Sequence, residues 1–131
     1  MLTTVELAAF ALAAGAGGLL RFVVTQHIAE KWGVQFPLAT LVVNGSGALL
    51  VGFLAGLCWQ LGTAEAQSVT AWQLSAIAFC GSYTTVSSFS LQTLSLWQSQ
   101  QHQQALYNIL LTFSLGMILT GCGYALAASL W

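Results

Sequence analysis

Long apolar stretches separated by short polar segments set the pattern of this chain. Four stretches each reach the roughly 20 apolar residues needed to cross a hydrocarbon core about 30 Å thick. They run from Val5 to Ile28, Pro37 to Leu61, Trp72 to Trp97 and Ala105 to Leu130. The segments between them are polar: Ala29–Phe36 carries Glu30 and Lys31, Gly62–Ala71 carries Glu65, and Gln98–Gln104 reads QSQQHQQ. The pattern predicts an all-α membrane protein, a single four-helix transmembrane domain over residues 1–131. Pro37, the only proline, falls at a predicted first helical turn, where its missing N–H costs nothing. The first stretch lacks a basic start and is too long for a signal-peptide core, so it is expected to remain as a span.

One stretch breaks the apolar pattern in its middle. Gly81-Ser-Tyr-Thr-Thr-Val-Ser-Ser-Phe-Ser90 carries seven hydroxyls in ten residues, flanked on both sides by apolar sequence. Isolated serines in a span can bond back to their own helix, but unsatisfied polar groups are costly at this depth. The run therefore predicts a broken helix or a polar pathway, with interhelical hydrogen bonding as the plainer alternative. A break would free carbonyls to meet a cation and amides to meet an anion. Phe89, inside the run, can turn a positively polarised ring edge to an anion, or can simply pack. Asn44 in the second stretch, and Asn108, Thr112 and Ser114 in the fourth, supply further polar groups. An asparagine at such a position is either an interhelical hydrogen bond or part of a pore lining.

Composition narrows the chemistry. Apolar residues make up 57% of the chain and charged residues 4%, far below the quarter typical of soluble domains. The mean hydropathy of +0.81 agrees. Two basic residues give no footprint for nucleic acid. The three carboxylates, Glu6, Glu30 and Glu65, form no acid–base pair. None lies mid-span, whereas proton-coupled transporters usually carry a buried carboxylate relay. Passive movement of a small neutral or anionic solute fits better. Arg21 can snorkel to the interface or attract anions to a vestibule. Gln92 faces an aqueous entry or another helix. His102 lies in the polar loop and reads as solvated. Cys58, Cys80 and Cys122 are odd in number and widely spaced, and read as small buried hydrophobes.

Arg21 and Lys31 fall toward one side of the four-span topology and the other side has no basic residue, so the orientation bias is one or two charges. Insertion in both orientations is consistent with that. Thirteen glycines, including the pair Gly52 and Gly56, offer faces for close helix approach. Homo-oligomerisation is expected, because four helices enclose little interior in which to bury the polar groups.

Taken in order, several segments resemble the Fluc family of bacterial fluoride channels, also called CrcB. They are Gly15-Ala-Gly-Gly-Leu-Leu-Arg21, Pro37-Leu-Ala-Thr-Leu-Val-Val-Asn44, Phe79-Cys-Gly-Ser-Tyr-Thr-Thr-Val-Ser-Ser-Phe-Ser90, and Tyr107-Asn with Ser114 and Gly116. The resemblance covers nearly the whole chain. It implies a passive, fluoride-selective channel of the bacterial inner membrane, exporting cytoplasmic fluoride and conferring fluoride resistance. It further implies an antiparallel, dual-topology homodimer with two anion pathways and a structural sodium ion at the dimer centre. By the same resemblance the backbone carbonyls of Gly81 and Thr84 hold that sodium. Asn44, Ser87, Ser88, Phe89, Tyr107 and Ser114 line the pathway, and Arg21 and Gln92 belong to a vestibule.

Two positions depart from the family pattern. Val86 stands where a phenylalanine is usual, three residues before Phe89, and valine has no ring edge to offer. Gln92 stands where a glutamate is frequent, which makes the vestibule less acidic. The Val86 departure supports the alternative of a non-conducting or impaired subunit. A small dual-topology multidrug exporter would match in size, but it requires a membrane-embedded glutamate, for which only Glu6 is a candidate.

Overall fold

The computed structural model describes residues 3–33, 36–61 and 71–130, with side chains from residue 76 onward in the last segment. The expected loop residues 62–70, including Glu65, lie outside the described residues. All described secondary structure is helical: α1 Thr4–Trp32, α2 Leu38–Gln60, α3 Ala71–Tyr83, α4 Val86–Gln98 and α5 His102–Ala128. Three of these, α1, α2 and α5, are long and apolar enough to cross a membrane. The stretch expected as the third span is divided into α3 and α4, 13 residues each. At 1.5 Å per residue each half covers only about 20 Å, so both are needed to traverse the apolar layer.

Local chemistry fixes the helix ends. Thr3 caps α1: its side chain accepts from the Glu6 amide at 3.3 Å, and Glu6 Oε2 accepts from the Thr3 amide at 2.7 Å. This reciprocal pair satisfies two amides that a helix start leaves open. It also occupies the one glutamate on which the exporter alternative depended. α1 runs four residues past the expected Ile28, because Glu30 and Lys31 end the apolar run without ending the helix. It stops at Gly33, whose φ of 77° suits glycine and whose N–H reaches the Ala29 carbonyl at 2.9 Å. Pro37 sits just before α2, as its cap residue, rather than within the first turn.

Packing follows the small residues. The two largest interfaces pair α2 with α5 and α1 with α3, while α4 meets α5 over a smaller area. A Cβ on Gly52 would strike the Thr120 carbonyl, and one on Gly56 would press on Tyr124 and Ala127. Gly123 on α5 lies equally close to the Leu49 carbonyl. The Gly52–Gly56 pair, expected as a helix-approach motif, is thus used inside one chain. Gly17 plays the same part between α1 and the Phe79 carbonyl of α3. Large apolar side chains such as Leu12 and Met117 point outward, as suits helices whose solvent is lipid. Cys80 is buried as expected, whereas Cys122 is exposed, because it lies on the outward face of α5 away from the α2 seam.

Candidate functional site at the helix break

Thr84 and Thr85 interrupt the third span. α3 closes with the Thr84 amide and the Thr84 hydroxyl both donating to the Cys80 carbonyl, at 3.0 and 2.9 Å. Thr85 then takes an extended conformation, φ −148° and ψ 121°, and becomes the cap of α4. In a continuous helix the Thr85 amide would close onto Gly81. Here it donates instead to Asn44 Oδ1 at 2.8 Å, while Asn44 Nδ2 donates to the Thr85 carbonyl at 2.9 Å. One side chain from α2 therefore satisfies both backbone groups of the residue at the break. That is what an irregular backbone requires in an apolar medium.

Two further side chains support this arrangement. Arg21 Nη1 donates to the Thr84 carbonyl at 3.2 Å, placing a cation at the C-terminal end of α3, where the helix dipole is negative. Arg21 is thereby turned inward to the break and does not snorkel to the interface. Tyr83, buried at the end of α3, meets Ser46 of α2 across 2.9 Å. Ser46 donates to the Val42 carbonyl at 2.8 Å, so the phenol supplies the proton of the Tyr83–Ser46 bond.

On the α4 side Thr85 Oγ1 accepts from the Ser88 amide at 3.2 Å, donates to Ser88 Oγ at 3.1 Å, and lies 3.2 Å from Ser87 Oγ. The helix start beneath them points amide N–H groups away from α4. Beside them lies a recess of about 300 Å³ lined by Gly18, Arg21, Phe22, Thr25, Thr40, Thr85, Ser87, Ser88 and Gln92. Among the described residues its wall holds one cation, five hydroxyls and no carboxylate. Such a set suits a small anion, because hydroxyls and amides can all donate to it. A second recess of about 160 Å³ shares Thr25 and Gln92 with the first and continues to Gly33, Phe36 and Pro37 at the α1–α2 connection. The two adjoin at Thr25 and Gln92, between the α1–α2 connection and the break.

The expected site residues divide into two sets. Arg21, Gln92, Ser87 and Ser88 share the first recess; Asn44 and Thr84 do not line it, and are bonded to Thr85 and Arg21, which do. Val86 is 77% exposed at the start of α4. With Asn44, Thr84, Phe113 and Thr120 it borders a separate, mostly apolar groove of about 380 Å³ between α2 and α5. Phe89 is half-buried and meets Phe113 edge to face, with ring centroids 6.1 Å apart at 88°. Tyr107 and Ser114 are exposed on α5 and line neither recess. Gly81 is exposed, with open space where a side chain would be.

Sequence reasoning passed over Thr85, Thr40 and Thr25. Thr85 had a usable signal in the Thr-x-x-Ser spacing to Ser88, which is a cap pattern when a helix starts between them. Nothing in the spacing of Thr25 and Thr40 marks them, because tertiary packing alone brings α1 and α2 to the same recess. Among the described residues no three His, Cys, Asp or Glu side chains converge on a point.

With this geometry, the match to known sequences is specific. The family described as CrcB-like protein, Camphor Resistance (CrcB), matches residues 8–124, from the second turn of α1 to near the end of α5. The chain belongs to the CrcB family. Among curated relatives, the "Fluoride-specific ion channel FluC 2" of Mycolicibacterium paratuberculosis is 44% identical over 117 residues, 89% of each chain. The protein of the same name from Bradyrhizobium diazoefficiens is 37% identical over 114 residues, 87% of this chain and 82% of the relative. "Fluoride-specific ion channel FluC 3" of Brucella suis is 36% identical over 108 residues, 82% of this chain and 80% of the relative. The CrcB relatives are named as ion channels and not as enzymes, and this chain is a multi-pass membrane protein of that family.

Proposed function

We propose that the protein is a passive fluoride channel that lets cytoplasmic fluoride leave down its electrochemical gradient. The observation that carries this reading is the recess at the start of α4, where Arg21 and five hydroxyls line one space with no carboxylate among the described residues. The names of the CrcB relatives support fluoride as the anion. The driving force is electrical. An inside-negative potential moves one negative charge outward with about 2.3 kcal/mol per 100 mV, so no coupled energy source is needed. Arg21 and the α4 amides replace part of the anion's hydration, and the Ser87 and Ser88 hydroxyls donate as it passes.

The working unit in this reading is an antiparallel homodimer in the bacterial inner membrane, inserted with dual topology and carrying two pathways. The weak charge bias of the sequence supports dual insertion. Tyr107 and Ser114, exposed in a single chain, join a pathway in this reading only if a second copy covers their face of α5.

A structural sodium at the dimer centre fits the residues present. Gly81 lies at the last turn of α3 and is exposed, and its carbonyl is deprived of the Thr85 amide. The Thr84 carbonyl already accepts one Arg21 N–H and keeps a second lone pair. Neutral oxygens at the negative end of a helix suit a hard cation. One chain brings two such carbonyls, so the ion requires a second copy to complete its shell. When bound, the ion would tie two breaks together and contribute no chemistry to conduction.

Val86 supports one second reading, that of an impaired subunit, since an exposed valine has no ring edge to offer an anion. Fluoride efflux from liposomes containing the purified protein, followed with an ion-selective electrode beside chloride and a Val86→Phe variant, tests both. Fluoride efflux without chloride efflux is the expected result. Efflux only from Val86→Phe would establish the impaired subunit, and silence from both would overturn the channel.

A further inference from the structure

α4 and α5 are joined by one polar chain that the pathway as read so far does not use. Asn108 Nδ2 on α5 donates to Thr93 Oγ1 at 2.8 Å, and Thr93 Oγ1 donates to the Phe89 carbonyl at 2.7 Å. Asn108 is 1% exposed, and its Oδ1 has no hydrogen-bond partner. Beside this chain the Phe89 ring stands edge to face with Phe113, one turn and a half along α5 from Asn108. We propose that Asn108 is a positioning residue, acting through Thr93 to fix the orientation of Phe89. The inference rests on the channel reading and deepens it.

The energetics point away from a purely stabilising role. A hydrogen bond between helices in a membrane contributes little net stability, and a buried acceptor left without a donor is unfavourable. The Asn108 side chain makes one such bond and leaves one acceptor bare. An apolar residue of similar size would pack here at no loss of stability. What Asn108 contributes is direction. A threonine hydroxyl bonded to the carbonyl four residues earlier bends its helix. Here that bond ends on the carbonyl of Phe89 itself, and the α5 amide holds the hydroxyl that makes it. The small interface between α4 and α5 offers little other restraint on that turn. The residue of α5 next to the expected Tyr107 therefore governs an expected pathway ring, although the expected residue itself faces outward.

The experiment compares the unmodified chain with Thr93→Val, Thr93→Ser and Asn108→Leu. Fluoride and chloride efflux are measured in liposomes, together with the 19F spectrum of 4-fluorophenylalanine placed at position 89. Thr93→Val removes the hydroxyl with little change of shape, so it serves where Asn108→Leu folds poorly. Thr93→Val and Asn108→Leu are expected to shift or broaden the 19F line and to lower the fluoride-to-chloride rate ratio by about tenfold, in keeping with the cost of misplacing a positioned group. The thermal midpoint of Asn108→Leu should equal that of the unmodified protein, that of Thr93→Val should fall because the buried Asn108 amide loses its acceptor, and Thr93→Ser should restore both readouts. Unchanged spectra and ratios, or a loss of folded protein with the ratio per channel preserved, would overturn the proposal. If the unmodified chain conducts no fluoride, the channel reading fails by itself, and the 19F line still decides whether Asn108 orients residue 89.

Discussion

The α2–α5 seam and the break between α3 and α4 lie close together and are built on opposite principles. At the seam, Gly52, Gly56 and Gly123 let two backbones touch, and the contact rests chiefly on shape and dispersion, with one hydrogen bond from Thr120 Oγ1 to the Ala48 carbonyl at 3.3 Å. At the break, Thr84 and Thr85 are held by hydrogen bonds from Asn44 and Arg21, side chains of two other helices. The seam tolerates no added atoms; the break tolerates no lost ones. A membrane protein of this size tolerates an irregular backbone at mid-depth because a closely packed pair of helices stands beside it.

Substitutions in each region test that contrast. The largest effect is expected from Asn44→Leu, which leaves the Thr85 N–H and C=O unpaired in an apolar surrounding. The cost is about 2–4 kcal/mol on the usual scale for two orphaned buried groups, read as a lower thermal midpoint in detergent. Fluoride efflux should fall below detection, and efflux at the unmodified rate would show that the break holds without α2. Gly52→Val comes next. An isopropyl group, whose Cβ alone meets the Thr120 backbone, should destabilise the fold by about 1–3 kcal/mol through overpacking. The folded fraction should keep its ion selectivity, since the substituted residue lines neither recess. Altered selectivity per channel would tie the seam to the pathway and remove the contrast. The smallest effect is expected from Thr85→Val, which deletes the cap of α4 at a cost of about 1 kcal/mol. Efflux should fall more than stability does, because Ser87 and Ser88 lose the hydroxyl that orders them. Thr85→Ser should restore both, and a Thr85→Val protein with full efflux would assign the serines their positions independently of the cap.

Much of the fold could be read in the sequence, for identifiable reasons. The lengths of α1, α2 and α5 follow from apolar runs that no soluble surface could accommodate. The interruption of the third span follows from seven hydroxyls in ten residues, a density that helix back-bonding does not explain. The helix ends were less legible. Hydropathy marks where lipid contact stops, whereas Gly33 decides where α1 stops, four residues after the expected Ile28.

The candidate site was legible as an inventory and not as an arrangement. Asn44 was open to two readings, interhelical bond or pore lining. In the structure its amide grips the backbone of Thr85, 41 residues away. Asn108 and Tyr107 are adjacent, yet one is buried at the α4–α5 contact and the other is 58% exposed. A helix turns each successive side chain by about 100°, so neighbours in sequence face different surroundings, and only the packed neighbour settles which.

The sequence by itself determined the solvent of this protein, the number of apolar stretches, the place where one of them fails and the family to which the chain is related. Those properties are local sums, since transfer to lipid adds residue by residue along a stretch. The tertiary structure decided which polar groups meet: Arg21 with Thr84, Asn44 with Thr85, and Asn108 with Thr93. These pairs depend on where glycine-lined helices stop approaching one another. That distance is set by contacts between segments far apart in the chain, which no local pattern contains.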